Sequence, residues 1–187
     1  MYILNTNLID TMKKLFLLVV LLISMGTGIW AQFPKAIFPG DYPDPSILRD
    51  GKDYYMTHSP FYYAPGFLIW HSTDLIHWEP VCRALPEYEG SAMAPDLLKY
   101  QGRYYIYYPT SMGENYVIYA DNIRGPWSKP VKLDVKGIDP GHVVGEDGKR
   151  YLFTNNGWIT PLSDDGLKVT GKSRKVYDGW EYPANWV

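Results

Sequence analysis

The chain has 187 residues, enough for one domain with a sizeable core. Aromatic residues make up 16% of it, with 17 Tyr and 7 Trp, which favours an all-β fold because aromatic rings pack well on a pleated face. The formal net charge of −2, with no basic run interleaved with aromatics, gives no support to a nucleic-acid or acidic-membrane partner.

The N-terminus reads as a secretory signal over residues 1–31. Lys13 and Lys14 form a short basic region, and Leu15 to Ile23 is an unbroken apolar run. Small residues follow at Gly26, Thr27 and Gly28, and Ala31 is the expected last residue before cleavage, with Ile29 a poorer match than Ala upstream of the cut. The run is shorter than the roughly 20 residues of a spanning helix, so a membrane anchor is the weaker reading. Met12 is a more natural start than Met1, because it puts the lysines at the N-terminus. The expected destination is secreted or periplasmic, with no membrane association after signal cleavage.

From Phe33 onward the chain repeats. Asp50-Gly51-Lys52-Asp53-Tyr54-Tyr55-Met56, Gln101-Gly102-Arg103-Tyr104-Tyr105-Ile106 and Asp147-Gly148-Lys149-Arg150-Tyr151-Leu152 are each a turn followed by a Tyr-rich strand. The glycines recur at intervals of 51 and 46 residues, a period that suits a four-stranded propeller blade and that a β-sandwich has no reason to show. Strands are predicted over 44–49, 53–59, 67–72 and 78–83 in the first unit and 96–100, 104–109, 116–120 and 127–132 in the second. The outer strands carry Trp78 and Trp127, and in the third unit Leu167 to Val169 stands in that place without a Trp. No segment of the mature chain has a convincing helical period. About three blades fit, whereas closed propellers have about four to eight, so the chain reads as the N-terminal part (33–187) of a propeller domain truncated at its C-terminus.

The lone cysteine, Cys82, excludes an intramolecular disulfide and a thiolate metal cluster, and its neighbours read as an ordinary strand with a buried structural thiol. His58, His71, His77 and His142 lack zinc-type spacing. Ser46 has no nucleophile-elbow glycines, which argues against a serine hydrolase.

Carboxylates recur beside prolines: Asp44-Pro45, the reversed pair Pro95-Asp96, and Asp139-Pro140. Proline is expected to force the preceding Asp into an extended conformation at the mouth of a strand. Successive units of a propeller would bring such carboxylates towards a common centre. On an exported, Tyr/Trp-rich chain, converging carboxylates suggest sugar chemistry. Glycoside hydrolysis by inversion needs one ionised carboxylate to activate water and one protonated carboxyl to protonate the leaving oxygen, and a further carboxylate nearby can keep the acid protonated.

Several motifs then resemble glycoside hydrolase family 43, the five-bladed propeller arabinosidases and xylosidases. They are Gly40-Asp41-Tyr42-Pro43-Asp44-Pro45-Ser46-Ile47 with Asp53-Tyr54-Tyr55-Met56, Ala94-Pro95-Asp96 with Arg103-Tyr104-Tyr105, Gly125-Pro126-Trp127, and Ile138-Asp139-Pro140 with Gly148-Lys149-Arg150-Tyr151-Leu152. The resemblance implies that Asp44 is the general base and that Asp139 tunes and orients the acid. It places the acid, a Glu before a Gly/Ser-Pro step, on a later blade past Val187; Glu181 does not match that context. Met93 stands where the family usually has Trp, which removes an expected aromatic contact. Asp96, Phe61 and Trp158 are candidate substrate-binding residues, each weighed against turn formation or interblade packing, and Asp41 reads as a solvated loop residue.

The implied substrates are arabinan, arabinoxylan or xylan. No cofactor is required, although the resemblance allows a structural calcium on the axis of the complete protein. The alternatives are a non-catalytic sugar-binding propeller and an inactive gene fragment.

Overall fold

The computed structural model describes residues 6–26, 36–88 and 90–177. Two compact units divide near Phe38. The first holds one helix, α1 (Thr6–Gly26), which carries Lys13 and Lys14 ahead of the Leu-rich run. Leucine is a good helix former, and Asp10 and Lys14 pair one turn apart at 3.4 Å. Among the described residues no helix is long and apolar enough to cross a membrane. Ala31, Phe33 and Glu181 lie outside the described residues.

The second unit is three four-stranded antiparallel sheets, each hydrogen-bonded in chain order. Blade one is β1 (Ser46–Asp50), β2 (Asp53–Thr57), β3 (Gly66–Ser72) and β4 (Glu79–Leu85). Blade two is β5 (Asp96–Tyr100), β6 (Arg103–Pro109), β7 (Asn115–Ala120) and β8 (Val131–Leu133). Blade three is β9 (Gly141–Val144), β10 (Arg150–Thr154), β11 (Trp158–Pro161) and β12 (Arg174–Lys175). The first strand of each blade meets its counterpart in the next, β1 against β5 and β5 against β9. These are propeller blades arranged around their inner strands.

The predicted turns close the first hairpin of each blade. In blade two, Gln101 and Gly102 have φ of +49° and +84°, as a type I′ turn demands, and Tyr100 pairs with Arg103. Strand β6 shows why the Tyr-rich run is unbroken. Tyr104, Ile106 and Tyr108 pack, with Leu97 of their own blade, towards Phe67 and Ile69 of blade one. Tyr105 and Tyr107 pack towards blade three with Leu152 and Leu162. A strand covered on both faces needs no polar alternation. Each fully buried apolar side chain, such as Ile106 or Ile118, contributes roughly 1.5–3 kcal/mol.

Two outer strands depart from expectation. In blade two the strand is Val131–Leu133 and starts after Trp127, whose indole N–H donates to the Ile123 carbonyl at 3.2 Å. Pro126 and Pro130 flank that stretch and supply no N–H to a ladder. In blade three, Leu167 to Val169 forms only an isolated bridge from Val169 to Leu162. The tight turn over 163–166 folds these residues back, so Leu167 and Val169 pack into the seam with blade two. The outer strand is instead Arg174–Lys175, on β11. Cys82 is half-buried in β4, as its neighbours suggested, and its thiol, pushed up by burial, donates to the Ile123 carbonyl.

Candidate active site at the mouths of the inner strands

The three inner strands begin at the same end of the sheets, and three prolines stand at their mouths. Asp44, Ala94 and Asp139 each precede one of these prolines, and each sits at a bend. Their φ angles are +52°, +35° and +56°. The expectation of an extended Asp is therefore wrong. Proline disfavours right-handed helical geometry at the preceding residue, but here the chain must turn sharply from loop into strand. The left-handed region supplies that turn, and aspartate tolerates it better than most residues because its short polar side chain bonds locally. Ala94 has no such compensation and carries the greater strain.

The same alignment moves Asp96. The first residues of the inner strands are Ser46, Asp96 and Gly141. The blade-two counterpart of Asp44 is thus Ala94, and Asp96 lies two positions further on, inside β5.

Asp44 is exposed, and its Oδ2 accepts a 2.6 Å hydrogen bond from the Ser59 hydroxyl. Ser59 is buried just past the end of β2. Its Oγ accepts the Ala94 N–H at 2.6 Å, and its own N–H donates to the Pro43 carbonyl at 3.0 Å. Ser59 carries no sequence signal, because its partners lie 15 and 35 positions away.

Asp139 is also exposed, on a loop held from two blades. The buried Asn115 amide donates to the carbonyls of Val135 and Gly137, both at 2.9 Å. Thr154 Oγ1 donates to the Lys136 carbonyl, and Asn155 Oδ1 accepts the Ile138 N–H. Gly137, at φ +98°, is required there: a Cβ would stand 2.6 Å from Asn155 Oδ1.

The aromatic candidates line separate recesses. Phe61 is half-buried, strapped by its N–H to the Ala92 carbonyl, and borders a cavity of about 400 Å³ with Tyr42, His58, Tyr63 and Trp70. Trp158, 40% exposed, borders a recess of about 340 Å³ with Asn155, Asn156 and Lys136, beside the Asp139 loop. Asp41 is exposed in the loop before β1. Among the described residues no group of three His, Cys, Asp or Glu side chains converges to hold a metal.

The sequence pattern described as "Glycosyl hydrolases family 43" matches residues 33–187. The chain belongs to that family. It is 33% identical to a "Xylosidase/arabinosidase" of Butyrivibrio fibrisolvens, over 76% of this chain and 33% of the relative. It is 36% identical to a "Non-reducing end alpha-L-arabinofuranosidase BoGH43B" of Bacteroides ovatus, over 65% of this chain and 26% of the relative. Among solved structures it resembles the GH43 BlXynB protein from Bacillus licheniformis with a TM-score of 0.70 and 33% identity, covering 79% of this chain and 34% of that one. The chain therefore spans about a third or less of the length of these relatives. The family's enzymes are five-bladed propellers, of which three blades are seen here. Family 43 glycosidases need no cofactor.

In this family 43 chain Asp96 is tied into the seam between blades two and three. Its Oδ2 accepts the His142 backbone N–H at 2.6 Å. Burial pushes its carboxyl up to about 6, partly offset by that hydrogen bond. The fully buried Arg150 lies in the same seam, its guanidinium 4.5 Å from the ring centres of both Tyr100 and Tyr105. Arg150 donates to His142 Nε2 at 2.9 Å, to the Tyr107 oxygen at 3.1 Å and to the Asp164 carbonyl at 3.1 Å. His142 Nε2 accepts there, so the ring is neutral with its proton on Nδ1. Burial and the Arg150 charge both push the imidazole down, to about 4. The Gly-Lys-Arg-Tyr motif marked Arg150 as part of a strand, not as a buried cation.

Proposed function

We propose that the protein carrying this chain hydrolyses α-L-arabinofuranosyl or β-D-xylosyl bonds of plant cell-wall polysaccharide with inversion. The observation that carries this reading is the family 43 match over 33–187, which includes an exposed Asp44 held at the mouth of blade one. Asp44 is the general base. It takes a proton from water as the water oxygen bonds to the anomeric carbon. The glycosidic C–O bond breaks in the same step, and a glutamic acid of a later blade gives its proton to the leaving oxygen. Asp139, fixed by its loop, tunes and orients that acid. Arabinan, arabinoxylan and xylan are the substrate classes, supported by the names of the relatives. Residues 1–31 are a cleaved export signal in this reading, supported by a helix that carries two lysines ahead of an apolar run.

The test is the stereochemistry of the first-formed sugar. Proton NMR during early turnover of a 4-nitrophenyl β-D-xyloside or α-L-arabinofuranoside by the full-length protein should show the opposite anomer before mutarotation. Retention of configuration, or binding without any product, would overturn the proposal.

A further inference from the structure

We propose that Ser59 is the positioning residue of the Asp44 carboxylate, and that it couples the base to the mouth of the neighbouring blade. The inference rests on the reading of Asp44 as the general base.

A serine hydroxyl has one proton to give. The Oγ of Ser59 accepts the Ala94 N–H at 2.6 Å, so that proton is directed to Asp44 Oδ2, also at 2.6 Å. The relay fixes the rotor of an otherwise free hydroxyl. It occupies Oδ2 and leaves Oδ1 as the oxygen to meet water. Ser59 is itself held, because it is buried and its N–H is bonded to Pro43, the residue before Asp44.

Ala94 supplies the reason for its own strain. It sits at φ +35° in a blade-two position where blades one and three have aspartate. Backbone strain in a non-glycine residue persists where the surroundings over-determine it, often at functional sites. At this site it accompanies an N–H aimed across the blade boundary at Ser59. The segment 91–94 is pinned on both sides. Ala92 O accepts from Phe61, Met93 N–H reaches Pro109 O, and Ser111 N–H reaches Ser91 O. The donor that orients the hydroxyl is therefore rigid. A base on an exposed bend has no packing of its own to hold its rotamer, and Ser59 supplies that constraint.

The test is steady-state kinetics of the full-length protein on the two aryl glycosides. Ser59→Ala should lower kcat about 10- to 100-fold and leave KM within about threefold, because small misplacements of a reacting group cost rate rather than substrate affinity. Ser59→Thr, which keeps the hydroxyl, should recover most of kcat. Ser59→Ala with parental kcat, or Thr and Ala variants equally impaired, overturns the inference. If Ser59→Ala fails to fold, Ser59→Cys fills the same space with a weak donor and is read instead: lowered kcat supports the role, and parental kcat overturns it. Asp44→Asn is run beside them. Parental turnover there would sink the base assignment itself, whereas an inactive Asp44→Asn beside an unimpaired Ser59→Ala would sink only the positioning role.

Discussion

Asp44 stands one residue before its proline and Asp96 one residue after, and that offset of two positions sends the two carboxylates into different environments. Asp44 falls on the bend, exposed, with one oxygen held by a hydroxyl. Asp96 falls on the first rung of β5, where its carboxyl is desolvated and its Oδ2 is spent on the His142 N–H. A propeller offers both environments at the end of each inner strand. The mouth residue can face solvent and react, and the residue inside the strand can clip one blade to the next. Proline next to an acid is therefore an ambiguous signal until the order of the pair is considered.

The seam side of this contrast can be broken most severely at Arg150. Arg150→Ala deletes two ring-face contacts and three hydrogen bonds, and leaves Tyr107 and His142 in a buried site with lost partners. Stability should fall by about 3 kcal/mol, read as the shift in urea midpoint. A shift below about 0.5 kcal/mol, the size of an ordinary surface substitution, would mean that the seam does not depend on the cation.

A smaller effect sharpens the contrast through pH. The folded-state pKa of Asp96, about 6, is above its ordinary 3.8. Its stabilising contribution is fully present below about pH 4 and is lost as pH rises to about 6. His142 runs the other way: pushed from 6.5 to about 4, it contributes above pH 6.5 and loses that contribution as pH falls through about 4. The two slopes oppose each other over the shared window. Asp96→Asn removes only the first. Relative to the parent, the variant should gain about 2 kcal/mol of unfolding free energy between pH 4 and pH 6. A difference that stays constant across that range would show that the Asp96 carboxyl is not desolvated in the folded protein.

The parts legible in the sequence were those with local causes. The glycine-marked hairpins, the Tyr-rich second strands and the interval of 51 and 46 residues gave three sheets with nearly the right bounds. The outer strands depart from their predicted bounds where prolines delay β8 and where a tight turn over 163–166 displaces β12. Asp44 and Asp139 were picked out by their motifs, but their backbone conformation was not, since the pre-proline rule disfavours one region and does not choose among the others. Ser59, Asn115 and Arg150 stayed hidden. Their partners lie 8 to 43 residues away, and no period or turn rule encodes contacts made only once blades are stacked.

The most direct test measures kcat/KM and the melting temperature of Asp44→Asn and Asp96→Asn side by side in the full-length protein. Asp44→Asn should lose about 10²- to 10⁴-fold in kcat/KM, the usual contribution of a general base, and melt like the parent. Asp96→Asn should keep kcat/KM within about tenfold and show its effect in the pH dependence of stability. Parental turnover in Asp44→Asn, or a collapse of turnover confined to Asp96→Asn, would contradict the assignment of chemistry to the bend and of blade clipping to the strand.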